Sequence, residues 1–354
     1  MIELPAAPLD VLRSRTSEKW REYPSDVIPM FVAEADFPLA EPIAAALHAA
    51  VDTGDTGYVA SRTELPRAFA GFAERRWGWS LASAHIQTTA DVSMGIVEIL
   101  RRIDVGTGLV ITPPVYPPFY MLAAEAGVPV VDVPLAGDGS LDLGAIEAAL
   151  DGGARAVLLC NPHNPLGHPH EAASLSALAM LADAAGATVV SDEIHAPLTH
   201  SDARFTPWLA VSDAARRVGF ALHSASKAWN IAGLKCAMMI ADDPERAAFL
   251  RSLPDEVAWR TGQFGVIASV AAYDDGGEWL DRAVLTIERN RRTLVARLAE
   301  ELPVARVHEP RAGYLAWVDL GALGWEDDPA DVILEHAKVA LRAGSDFGPG
   351  GAGH

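Results

Sequence analysis

Apolar positions along the chain follow two different rhythms. Glu64 to Trp77 places Leu65, Ala68, Phe69, Phe72, Ala73 and Trp77 on one face, a 3.6-residue period that predicts a helix. From about residue 86, short apolar runs rich in β-branched residues recur: Ile86–Thr89, Leu109–Thr112, Val128–Val133, Ala156–Cys160, Thr188–Ser191, Val218–Leu222 and Cys236–Ile240. Runs without a polar alternate predict strands covered on both faces. Alanine-rich helical stretches, such as Leu141–Leu150 and Ala172–Ala185, separate several of them. This alternation predicts an α/β fold around a mostly parallel sheet.

The two ends differ from the middle. The first forty residues are rich in proline and read as an irregular, extended arm. After about residue 255 a long helical stretch covers Trp279–Glu301, with Arg289, Arg291, Arg292 and Arg297 assigned to its polar side. Val304–Val307 and Tyr314–Val318 read as strands, and Pro329–Arg342 as a helix with proline in its first turn. These form a second, smaller α+β unit. Two units suit 354 residues, since single cores stop growing near ~250–300.

Composition removes several classes. The formal charge of −19 repels phosphate backbones and anionic lipid, so neither nucleic acid nor membrane is an expected partner. Only two cysteines occur, Cys160 and Cys236, far apart and outside any CxxC, so neither a disulfide scaffold nor a Cys-based zinc site is expected. No metal-binding HExxH and no Walker A loop occur. The first residues lack a basic, then apolar, leader, and no apolar run approaches the ~20 residues of a membrane span. A cytoplasmic setting is the expectation.

Three segments carry candidate chemistry, each at or just after a strand's carboxyl end, where open α/β sheets bind ligands. In Asn161-Pro162-His163-Asn164-Pro165-Leu166-Gly167, two Asn-Pro steps and a glycine fix a loop that can aim an amide at a ligand oxygen, or is a plain proline-rich turn. In Ser191-Asp192-Glu193-Ile194-His195, a carboxylate ending an apolar strand calls for a cationic partner, or is a helix cap. In Ser224-Ala225-Ser226-Lys227, a lysine among apolar neighbours can act as a Schiff-base nucleophile beside hydroxyls suited to phosphate, or is simply solvated.

Taken in order, with spacings of 28 residues from Asn164 to Asp192 and 35 from Asp192 to Lys227, these segments resemble the aminotransferase class I/II family of fold-type I pyridoxal-phosphate enzymes. The matching patterns are NPHNPLG, SDEIH and SASKAWNIAGLKCA. IPMFVAEADFPLAEPI in the arm, TGY at 56–58, PPVYPPFY at 113–120 and the histidine of DEIH resemble the cystathionine β-lyase branch. The resemblance implies the pyridoxal-phosphate transferase fold: a large domain on a mostly parallel seven-stranded sheet and a smaller α+β domain. The implied division is an arm over 1–42, a large domain over 43–282 and a small, incomplete domain over 283–354.

It also implies residue roles. Lys227 would bond pyridoxal phosphate as a Schiff base and then move the substrate's Cα proton. Asp192 would pair with the pyridinium nitrogen, Asn164 would bond the phenolic oxygen, and His195 would support the same edge of the ring. Tyr116 would stack on the ring. Val92 and Ser93 would open a phosphate-binding helix, helped by the Ser224 hydroxyl. Tyr58 would reach the phosphate of a neighbouring subunit, implying a homodimer. Lys235 stands where the family often has a phosphate-binding arginine, keeping the charge without the bidentate fork.

A second departure lies at the end of the sequence. The chain as given stops at His354, one residue before the place where the resemblance puts an arginine that clamps the substrate carboxylate. Gly348, Gly350 and Gly353 spell GxGxxG, but no helix follows them, so a dinucleotide fingerprint is rejected. The implied activity is a carbon–sulfur β-lyase acting on cystathionine or a related small amino acid. The alternatives are an aminotransferase and a non-catalytic protein on the same fold. Phe31, Phe37, Tyr116, Phe119 and Tyr120 are either pocket lining or core, and Glu34 and Asp36 lie either near substrate or in capping roles.

Overall fold

A computed structural model describes residues 2–60 and 64–354. Its strands are β1 (Ile28–Pro29), β2 (Ile86–Thr89), β3 (Leu109–Ile111), β4 (Val130–Asp132), β5 (Ala156–Cys160) and β6 (Thr188–Asp192). They continue with β7 (Gly219–His223), β8 (Ala237–Ile240), β9 (Arg306–His308), β10 (Trp317–Asp319) and β11 (Val339–Ala340). Seven of them form one sheet in the order β2-β8-β7-β6-β5-β3-β4. The seven apolar runs of the sequence are these seven strands, each within about two residues of its expected limits.

Every neighbouring pair is parallel except those made by β8, which opposes both β7 and β2. Parallel neighbours need long crossovers, and the helix Ala172–Ala185 supplies one of these between β5 and β6. Between β7 and β8 lies a short connection, residues 224–236, with a single 3₁₀ turn at Ala232–Leu234, and the chain reverses there. That loop carries Ser224, Lys227 and Lys235.

The sheet is covered on both faces, and strand alternation decides which residue meets which layer. Leu158, Cys160, Val190, Phe220 and Leu222 enter one layer, with Ile96 and Ile99 of the helix Val92–Leu100. Val157, Leu159, Val189 and Ala221 enter the other, with Phe69, Phe72, Trp208 and Trp229. The helix predicted over Glu64–Trp77 is Leu65–Trp77. Its buried stripe is Leu65, Ala68, Phe69, Phe72 and Ala73, and Gly78 closes it in a left-handed conformation (φ 66°).

The ends depart from the sequence reading. The arm is less irregular than expected: it holds helices Leu9–Ser14 and Glu18–Arg21, and β1 pairs parallel with β11. The last helix was expected to reach Arg342 but stops at Ala337, where Lys338 turns left-handed (φ 57°) and releases the chain to pair with the arm. The hairpin β9–β10 lies one to three residues later than expected at each edge. Arg291 is not on the polar face of its helix, Gly277–Glu301: its side chain is 9% exposed. It donates to the Pro310 carbonyl and pairs with Asp202, which ties that helix to two loops.

Candidate active site

Parity along β5, β6 and β7 brings the candidate chemistry to one place. Cys160 ends β5, Asp192 ends β6 and Ser224 follows β7, all on the same face of the sheet. Above them lies a cavity of about 160 Å³. Val92, Ser93, Tyr116, Asn164, Asp192, His195, Ser224, Lys227 and Lys235 all line it. Tyr58 does not: it is 99% exposed on the surface.

One end of the cavity suits an anion. The helix Val92–Leu100 points its N-terminus there, capped by Asp91, whose carboxylate accepts from the Met94 N–H at 2.8 Å. Its free N–H groups and dipole favour negative charge, and the Ser224 and Ser226 residues lie alongside. Ser224 Oγ donates to the Cys236 carbonyl at 2.7 Å and accepts from the Ser226 N–H at 3.1 Å, which fixes the turn. Lys235 adopts a left-handed conformation (φ 57°), and its ammonium sits 3.0 Å from an Asp91 oxygen, so its charge is already partnered.

The opposite end is a buried carboxylate. Asp192 is 6% exposed, and its Oδ1 accepts from the Ile194 N–H at 3.1 Å. Burial raises its pKa from 3.8 to about 7, and the neighbouring Glu193 charge adds to this, while the Ile194 bond and Lys227 oppose it. A carboxylate so placed gains from a cationic ligand group. His195 beside it is pushed down to about 3, first by burial and then by Lys227, so the ring is neutral. Among the described residues its Nδ1 is buried without a partner, and so is Oδ1 of Asn164. Turned end for end, the Asn164 amide presents donors to an oxygen, an orientation set by its bonding partner.

Lys227 lies between these ends. Its ammonium donates to the Ala33 carbonyl at 3.1 Å, and its pKa is lowered by burial against the opposing pull of Glu34 and Asp192. Tyr314 OH donates to the same carbonyl at 3.0 Å, and its ring meets His195 edge-on at 6.2 Å. Tyr116 walls one side, with its N–H bonded to the Asn164 carbonyl and its phenol pushed up to about 12, chiefly by burial. Ala33 and Tyr314 were not singled out in the sequence. A backbone acceptor carries no side-chain signature, and Tyr314 reads only as a strand residue.

The other open candidates are settled by packing. Phe119 is wholly buried core, Phe37 packs edge-on against Trp279, Phe31 against Tyr23, and Tyr120 donates to Asp132. Asp36 holds the Lys19 ammonium at 2.9 Å with both oxygens and braces the arm; the same ammonium bonds the Glu34 carbonyl, while the Glu34 carboxylate is close enough to Lys227 to favour its charged form. Both cysteines are free; burial raises both thiols, Cys236 to about 12. Among the described residues no cluster fit for a metal ion occurs.

A cavity with an anion cradle at one end, a buried carboxylate at the other and a desolvated lysine between them matches a family pattern. Residues 28–353 match the model of the aminotransferase class I and II family, and the chain belongs to that family. A Mycobacterium tuberculosis protein named "Putative cystathionine beta-lyase" is 45% identical over 98% of this chain and 91% of its own length. The "Cystathionine beta-lyase PatB" of Bacillus subtilis is 35% identical over 93% of this chain and 87% of its own. A crystal structure from Corynebacterium diphtheriae, described as a "putative plp-dependent beta-cystathionase", superposes with a TM-score of 0.95. It is 33% identical and covers 99% of this chain and 92% of that one. The fold expected from the sequence is therefore the fold observed.

Proposed function

We propose that this protein is a pyridoxal-phosphate-dependent carbon–sulfur β-lyase acting on cystathionine or a related cysteine S-conjugate. The observation that carries the reading is the convergence of Lys227, Asp192, Asn164 and the helix Val92–Leu100 on one cavity, in a chain 45% identical to a relative of that name. The residues present fit the cofactor: the unpartnered Asn164 and His195 atoms, the buried Asp192 and the open helix N-terminus each lack what it would bring.

When bound, pyridoxal phosphate supplies an electron sink for the bond that breaks at the substrate's Cα. Lys227 would hold the group and would carry the substrate's Cα proton on its amine; burial lowers its pKa, which leaves more of that amine unprotonated at neutral pH. Asp192 would pair with the pyridine nitrogen and favour its protonated form, and neutral His195 would support the same edge. Tyr116 would cover one face of the ring. Ser93, Ser224 and the Val92 end of the helix would hold the phosphate, with the Lys235–Asp91 pair nearby. The net reaction consumes one water per cystathionine and yields homocysteine, pyruvate and ammonia.

We further propose an arm (1–42), a large domain (43–282) and a small domain (283–354) in a cytoplasmic homodimer, with Tyr58 reaching the partner's cavity. Its full exposure outside its own cavity supports that role. No helix among the described residues is long and apolar enough to cross a membrane. The family match keeps a second reading, an aminotransferase, since the family is described by that activity. Incubation with an amino acid alone separates them: a transaminase accumulates the pyridoxamine absorbance, and a lyase given cystathionine releases pyruvate and thiol.

A further inference from the structure

Behind the cavity floor, on the other face of the sheet, lies a buried polar pair that the proposed chemistry does not use. Glu193 is fully buried and His223 is 1% exposed. Strand alternation explains why both are hidden. Asp192 and Ser224 face the cavity, so their chain neighbours Glu193 and His223 face the opposite, apolar layer. The register pairs Asp192 with Leu222, so the next cross-strand step sets Glu193 against His223. Glu193 Oε2 lies 2.7 Å from His223 Nε2, an ion-pair distance at an angle outside hydrogen-bond geometry. Its Oε1 accepts from the Trp208 N–H at 2.7 Å and from Ser191 Oγ at 3.1 Å. The Glu193 N–H bonds the Leu222 carbonyl at 3.0 Å, which continues the sheet by one residue. Around the imidazole stand Phe69, Trp77 and Trp79, with ring centroids 4.8 to 5.9 Å away.

A core that can be filled with aliphatic side chains gains nothing in stability from such a pair, because desolvation offsets the attraction. What the pair does supply is position. It sets two polar side chains against each other beside the Glu193 N–H to Leu222 carbonyl bond, at the point where one strand presents Asp192 and the other presents Ser224. It also places a carboxylate one residue from Asp192 on the far side of the strand, and that charge raises the affinity of Asp192 for a proton.

We propose that Glu193 and His223 form a positioning pair that sets the spacing between Asp192 and Ser224, and so between the two ends of the bound cofactor. The inference rests on the proposed use of pyridoxal phosphate, but not on the choice between lyase and aminotransferase.

The test titrates the cofactor-free parent and variants with pyridoxal phosphate, followed by visible absorbance, and records apoprotein unfolding alongside. Glu193→Gln keeps the shape and removes the charge. His223→Leu removes the polar partner, and His223→Gln restores one. The expected result is a dissociation constant raised roughly tenfold or more in Glu193→Gln and His223→Leu, the size of effect supporting partners have at metal sites. His223→Gln should recover most of the loss, and the Glu193→Gln/His223→Leu double variant should lose no more than the worse single one. In Glu193→Gln the pH midpoint of the bound cofactor's visible band should also move down, since loss of a buried negative charge disfavours protons nearby. If His223→Leu does not fold, Glu193→Gln decides alone. Dissociation constants within twofold of the parent, with only unfolding affected, would overturn the inference. A parent that binds no pyridoxal phosphate would instead overturn the functional reading on which it rests.

Discussion

Replacing Asp192 by Asn should stabilise the cofactor-free chain while weakening its grip on pyridoxal phosphate. The pKa of Asp192 rises from 3.8 to about 7, with burial as the main cause. Below about pH 4 the group is protonated whether the chain is folded or not, and no stability is lost. Between those values the unfolded chain releases its proton while the folded chain keeps it, so stability falls as pH rises. Above about pH 7 the loss is constant, and at 1.36 kcal/mol per pKa unit it is at most about 4 kcal/mol. Asn removes that cost and keeps an oxygen for the Ile194 N–H. Its amide NH₂ brings about 1–3 kcal/mol of unmet hydrogen bonding. The net gain is on the order of 1–3 kcal/mol at pH 8 and smaller at pH 5. Urea unfolding of both cofactor-free proteins at the two pH values measures it. With pyridoxal phosphate added, the parent should gain more stability than the variant, because only the parent pairs a carboxylate with the ring nitrogen. A variant less stable than the parent at pH 8, or a gain independent of pH, would refute the reasoning.

Further outcomes follow from other parts of the structure. Lys227→Ala should lose the yellow absorbance that survives gel filtration in the parent, and its turnover should fall below detection. Gly265→Ala should cost about 1–3 kcal/mol in urea unfolding, because a Cβ there would lie 2.4 Å from the Leu234 carbonyl and 2.8 Å from Cys236 Cβ. It should also loosen the cofactor, since that segment carries Lys235. Tyr58→Ala and Lys227→Ala should each be inactive alone, yet regain part of the activity when refolded together, because a mixed dimer assembles one intact site. No recovery on mixing would remove the shared-site proposal.

The strands and the cavity were legible in the sequence for one physical reason. A strand buried on both faces must be continuously apolar, so the first polar residue after each run marks its end, and ligands bind at those ends. Asn164, Asp192, Ser224 and Lys227 were all found this way. What stayed hidden depends on pairing at a distance. Asp91 caps its helix and also holds Lys235, and nothing in the sequence shows either contact. The Ala33 carbonyl, which receives both Lys227 and Tyr314, has no side-chain signature. β1 and β11 are two residues each, too short for any periodicity, and their pairing is what ends the last helix early. Arg291 looks like a surface charge because its acceptors, Asp202 and the Pro310 carbonyl, come from other segments.

The central claim is cleavage of the Cβ–S bond with Lys227 as the proton carrier. The direct measurement is to load the protein with pyridoxal phosphate, add cystathionine, and follow pyruvate, ammonia and free thiol together. The account predicts the three products in equal amounts, with no accumulation of the pyridoxamine absorbance and no product from Lys227→Ala. Loaded protein that yields neither pyruvate nor thiol, or that converts its cofactor to the pyridoxamine form instead, would contradict it.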